Sequence, residues 1–228
     1  MDGDYAIEAG GESDEVLAFL MREAGDGAEH VATHISHVVI GRDVVFKLKK
    51  PVALAYLDFS TPELRLDFCR REYELNRRTD PSGLIYAGVS IIARGADGRL
   101  RLDAEGDLVD AVVRMHPFDQ GGLLDRLATA APLDATLVDA LAVEISALHA
   151  GAEVSGDRQG AARMAHVLDV NAAAFVASGL LTAEAAARLD RRFRTVLARH
   201  AGLLDSRAAQ GLVRRCHGDL HLRNICVI

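Results

Sequence analysis

The chain has 228 residues, half of them apolar and 26% charged, which is enough to bury a core and excludes disorder throughout. A net charge of -7 argues against a protein that coats nucleic acid, because phosphate neutralisation favours an excess of Lys and Arg on the binding face. Cys69, Cys216 and Cys226 form neither a disulfide framework nor a four-thiolate zinc site and suit a reducing, cytoplasmic compartment; no signal-like start and no apolar run of about 18 residues points to secretion or a membrane span.

Residues 1–30 hold nine Asp or Glu against one Arg, while the other 198 residues carry 25 basic and 24 acidic groups. An acidic N-terminal extension and helix thus precede a nearly neutral body and read as a solvated lead-in. Ser13 to Arg22 has the amphipathic pattern, with Ser13 as expected N-cap and Asp14 and Glu15 at the positive end. Residues 31–40 and 44–50 read as two antiparallel strands around the turn Gly41-Arg42-Asp43. Thr61, Pro62 and Glu63 start a helix expected to run to about Arg78. Residues 84–94, 99–103 and 107–114 complete an expected five-stranded antiparallel sheet with one internal helix. From Met115 the period becomes helical, with helices expected at 120–129, 134–150, 159–178, 183–200 and 204–213. A strand-rich front and helix-rich back imply two lobes, or a segregated α+β domain, with the seam near 113–119.

Three constellations carry chemistry. The segment His217-Gly218-Asp219, with Asn224 five residues after the aspartate, has the form H-G-D-x-x-x-x-N. One loop can then present a base that accepts a hydroxyl proton and an oxygen ligand for magnesium. His217 and His221 could bind zinc from a helix, but Gly218 makes a loop and no third ligand is indicated. The chain has only three lysines, Lys47, Lys49 and Lys50, in or just after one strand; Lys47 and Lys49 share a face, and pattern alone does not separate them. Glu72 interrupts the stripe Leu64, Phe68, Leu75 of the internal helix, so its carboxylate needs a cation that the lysine strand can supply. Glu74 is the surface-facing alternative.

The runs THISHVVIGRDVVFKLKKPV (33–52), LDFST (57–61), CRREYELNRR (69–78) and CHGDLHLRNICVI (216–228) resemble the aminoglycoside phosphotransferase and protein kinase-like superfamily. They look most like the N-terminal portion of bacterial proteins in which such a domain precedes a P-loop ATPase or kinase domain. The resemblance implies an α+β, bilobal protein kinase-like fold, with a small lobe at 31–115, a partial helical large lobe at 116–228, and ATP and magnesium between them. It implies Lys47 as the phosphate-binding lysine, Glu72 as its partner, Asp219 as catalytic base, Asn224 as a magnesium ligand and Met115 near an adenine-facing hinge, with Lys49 the alternative strand lysine. Thr33 to His37 takes the place of the phosphate-covering loop but lacks its glycine-rich form, and Gly218 replaces the arginine of the protein kinase H-R-D. The second metal-binding aspartate and the P-loop domain are missing from these 228 residues, so the C-terminal lobe is expected to be truncated. The implied activity is ATP-dependent phosphoryl transfer to a small-molecule hydroxyl; the competing expectation is a nucleotide-binding or structural domain without turnover.

Overall fold

The computed structural model describes residues 11–54 and 57–228; the first ten residues of the acidic extension lie outside that set. Helix α1 (Glu12–Glu23) begins at Gly11 with no side-chain cap, so Ser13 sits inside the first turn rather than at its expected N-cap. Glu12, Asp14 and Glu15 place negative charge against the dipole of that uncapped turn. Nor is this helix a solvated lead-in: it buries Val16, Phe19 and Leu20 in the main hydrophobic cluster.

The strand expected over 31–40 is two strands, β1 (Glu29–Ala32) and β2 (Ser36–Ile40), paired antiparallel. Thr33 causes the split: its amide donates to the Ser36 carbonyl, and its hydroxyl oxygen accepts from the Ser36 amide at 3.0 Å. Strand β3 (Val45–Lys49) follows, then a small hairpin of β4 (Ala53–Leu54) and β5 (Leu57–Asp58). Helix α2 (Pro62–Asn76) starts where expected, with Thr61 Oγ1 accepting from the Leu64 amide at 3.3 Å. Beyond it, the Asp80 carboxylate accepts from the amides of Leu84, Ile85 and Tyr86, which turns the chain into β6 (Tyr86–Arg94). Strands β7 (Leu100–Leu102) and β8 (Asp107–Met115) complete a six-stranded antiparallel sheet in the order β1-β2-β3-β8-β6-β7. Splitting the first strand accounts for six strands where five were expected.

The sheet is covered on both faces. Phe46, Leu48, Val39, Ile92 and Val112 pack with α1, while Cys69 of α2 packs with Ala111 and Val113. The pairing of β6 with β8 passes from Ile92–Asp110 to Ala93–Leu108, leaving Val109 as a bulge.

A 3-10 turn (Gln120–Gly122) leads into α3 (Leu124–Ala130), followed by α4 (Ala135–Gly151), α5 (Gly160–Ala177) and α6 (Ala183–Ala209). The two last expected helices are one. The 27 residues of α6 run through Gly202 without a break, since an interior glycine costs a helix only about 1 kcal/mol and α6 packs along α5. The chain divides into two compact units: residues through Ala131 together with Leu222–Ile228, and Pro132–His221. The division therefore falls after Ala131, not near Met115. The last seven residues join the first unit because the Leu124 amide donates to the Ile225 carbonyl and the Val227 amide to the Gly122 carbonyl. After the 217–221 loop the chain forms a 3-10 turn (Leu222–Asn224) and a single bridge between Cys226 and Leu123.

Candidate functional site

Alternation along β3 sends Phe46 and Leu48 to the α1 side and Lys47 and Lys49 to the α2 side. On α2, residues 65, 69 and 72 recur at helical spacing and face the sheet. The buried ridge is therefore Arg65 and Cys69, with Leu64, Phe68 and Leu75 half-buried on its flanks. The expected apolar stripe is displaced because an arginine with a carboxylate partner can occupy a buried position that pattern reading reserves for apolar residues.

Glu72 meets both candidate lysines. Lys47 Nζ lies 2.7 Å from Oε1 and Lys49 Nζ 2.5 Å from Oε2. The Lys47 side chain is 34% exposed and that of Lys49 only 5%, and the Lys49 ammonium lies 4.9 Å from the centroid of the Phe59 ring. Burial pushes the Glu72 carboxyl up, yet the two ammonium groups outweigh it and hold the group below its ordinary value. Glu74 is exposed. Lys50 stands apart, donating to the Thr33 carbonyl at 2.5 Å. Met115, at the end of β8, pairs with Val45 and Tyr86 and packs against the Cys69 cluster.

The other motif lies in a loop. Gly218 has φ 82, a left-handed conformation that disfavours any side chain, so glycine at this position follows from the backbone. The Asp219 amide donates to His217 Nδ1 at 3.2 Å, and His221 Nε2 lies 3.5 Å from Asp219 Oδ2. The Asp219 side chain is 74% exposed. Asn224 closes the 3-10 turn and is exposed.

The triad of two ammonium groups and one carboxylate carries an excess of one positive charge, which fits a polyphosphate. The side-chain oxygens of Asp219 and Asn224 are hard donors of the kind magnesium takes. Among the described residues no group of three or more His, Cys, Asp or Glu could hold a metal ion.

No family model and no solved structure matches the chain. Over 122 residues it is 32% identical to an uncharacterized protein of Mycobacterium bovis and to uncharacterized proteins of two Mycobacterium tuberculosis strains. The match takes in 53% of this chain and 22% of each relative, so the chain spans well under two thirds of the length of the curated relatives it matches.

Several residues around the triad escape sequence reading. Arg65 Nε donates to Asp110 Oδ1 at 2.8 Å, and its other nitrogens reach the carbonyls of Phe59 and Val109. The spacing of Arg65 to Cys69 and Glu72 was the available signal. Phe59 and Ser36 had none: Ser36 lies opposite Lys49 in the β2–β3 register, 1% exposed, its hydroxyl without a hydrogen-bond partner among the described residues.

Proposed function

We propose that the protein is an ATP-dependent phosphotransferase acting on a hydroxyl of a small molecule, resembling aminoglycoside phosphotransferases, with a bilobal kinase-like fold and a cytoplasmic location. The observation that carries this reading is the ion pair between Lys47 and Glu72, residues 25 apart in sequence brought to 2.7 Å. A strand lysine held by a helix glutamate is the arrangement a polyphosphate-binding cation needs. Asn224 and Asp219 are the proposed oxygen donors of the loop motif, and Met115 the residue nearest an adenine.

In the proposed reaction Asp219 accepts the acceptor's hydroxyl proton as that oxygen bonds to the γ-phosphorus and the bond to the β,γ-bridging oxygen breaks, releasing ADP. Asn224 would hold magnesium in part, and the ion would supply charge neutralisation on the phosphates. Lys47 offsets phosphate charge and Glu72 orients Lys47. A P-loop domain is the proposed protein partner; the matched relatives, of which the alignment covers 22%, are long enough to carry one.

The test is ATP turnover with a panel of hydroxyl-bearing small molecules, aminoglycosides included, using the 228-residue chain and Asp219→Asn. Magnesium-dependent turnover lost in Asp219→Asn supports the assignment, and turnover that survives it removes Asp219 as the base. Nucleotide binding without turnover in any acceptor would place the chain in the second class, a binding or structural domain.

A further inference from the structure

Apart from the lysine site, the β1–β2 pair brings two imidazoles together. His30 lies opposite Val39 and Ala32 opposite His37, so the two histidines are diagonal neighbours on one face of the sheet, the face that packs with α1. Ala32 presents only a methyl group beside His37, which leaves room for the rings to approach. Their centroids lie 5.1 Å apart, and His30 Nε2 stands 2.9 Å from His37 Nδ1. His30 is exposed and His37 half-buried.

A hydrogen bond between neutral rings fits that distance but gains little near the surface, where water offers each nitrogen the same bond. The separation also fits a metal. Imidazole nitrogens bind a transition metal at about 2.0–2.1 Å, so two of them bound at a right angle stand about 2.9 Å apart, and at the tetrahedral angle about 3.3 Å. The pair matches the right-angled edge, which belongs to tetragonal copper(II) and nickel(II) rather than to zinc. Its protonation suits a metal as well. Burial pushes the His37 imidazole below its ordinary value, Lys50 and His30 act in the same direction, and Asp14 of α1 opposes them, so the ring is neutral at neutral pH. The Lys50 ammonium is itself engaged, donating to the Thr33 carbonyl at 2.5 Å.

We infer that His30 and His37 form a two-point site for a tetragonal divalent ion, copper(II) or nickel(II), with water in its remaining positions. On binding, the proton between the rings passes through solvent to the far nitrogen of the ring that donates it. Both facing nitrogens then present lone pairs, and the protein loses no proton. Strand β1 is an exposed edge strand paired with β2 alone, so an ion held by one residue from each strand ties that edge down. The site is independent of the phosphotransferase reading.

Calorimetric titration of the untagged 228-residue chain with nickel(II) or copper(II) chloride tests it and should give one ion bound per chain. His30→Ala and His37→Ala should each weaken binding by about tenfold or more, while His34→Ala in the intervening turn and His217→Ala in the 217–221 loop should leave it within about twofold. Amide exchange supplies a second readout: the ion should slow exchange in β1 of the wild type and not of His30→Ala. Because His30 is exposed, its substitution leaves the fold intact and decides alone should His37→Ala not fold. Equal binding by His30→Ala and the wild type, or weak binding spread over several of the nine histidines, means an adventitious ion only and overturns the site. Zinc bound more tightly than nickel overturns the tetragonal geometry.

Discussion

Arg65 and Asp110 show how a single pair can organise the ground beneath a site. Both are nearly buried, 8% and 5% exposed, and the guanidinium ties α2 to β8 and to the Phe59 carbonyl. Removing one partner strands the other charge, so Arg65→Ala or Asp110→Ala should lower stability by about 3–5 kcal/mol, whereas replacing both with apolar residues should cost far less. Urea unfolding of the two single variants and an Arg65→Met, Asp110→Leu double variant measures this, and additive losses would argue against coupling. Glu72 gives a pH prediction of definite sign. Its carboxyl is held low in the fold, so it contributes stability above the ordinary carboxylate range, lost as pH falls through the depressed value. Glu72→Gln should accordingly flatten the acid limb of the stability profile. Burial pushes the Cys69 thiol up to about 12, which leaves it protonated and inert at neutral pH. Iodoacetamide should modify the exposed Cys216 in the native protein and reach Cys69 only after unfolding.

At the scale of elements, α1 is a structural part of the sheet domain. Leu20 is fully buried and belongs to the same hydrophobic cluster as residues of β2, β3, β6 and β8. Leu20→Ala should therefore cost about 2–5 kcal/mol; a loss under half a kcal/mol in chemical denaturation would mean that the helix is dispensable. Helices α5 and α6 depend instead on a close approach. Gly160 is buried, and a Cβ there would collide with the Leu204 carbonyl. The Ala161 amide donates to Asp205 and Arg194 bridges Asp169 and Asp190, so Gly160→Ala should lower the melting temperature by forcing these helices apart.

Across the whole molecule, burial is distributed unevenly between the two units. The buried cluster that unites α1 with the sheet lies in the first. In the second, α4 buries no residue, and Val143, Val176 and Leu180 are 67%, 70% and 86% exposed. Local stability follows buried contact. Amide hydrogen exchange should be slowest in β3, β6 and β8 and fastest in α4, with equal protection in the two units contradicting the assignment of the core. No described helix is long and apolar enough to cross a membrane, as the absence of a long apolar run indicated.

The features legible from sequence were those whose cause is local. The cap at Thr61, the period-2 run of β3, the glycine in the 217–221 loop and the α4, α5 and α6 periodicities all arise from neighbours within a turn or a pleat. The lysine face and the charge on Glu72 were also legible, because alternation and helical spacing fix which side of an element a residue takes. Contacts between elements decided the rest. Whether Arg65 could be buried depended on Asp110, 45 residues away. Whether α1 was solvated depended on an apolar sheet face to receive it. Which lysine is enclosed depended on Ser36 and Phe59, brought beside Lys49 by strand pairing and by the chain before α2. Burial and ion pairing are properties of surfaces that meet, so they exist only once the elements have packed.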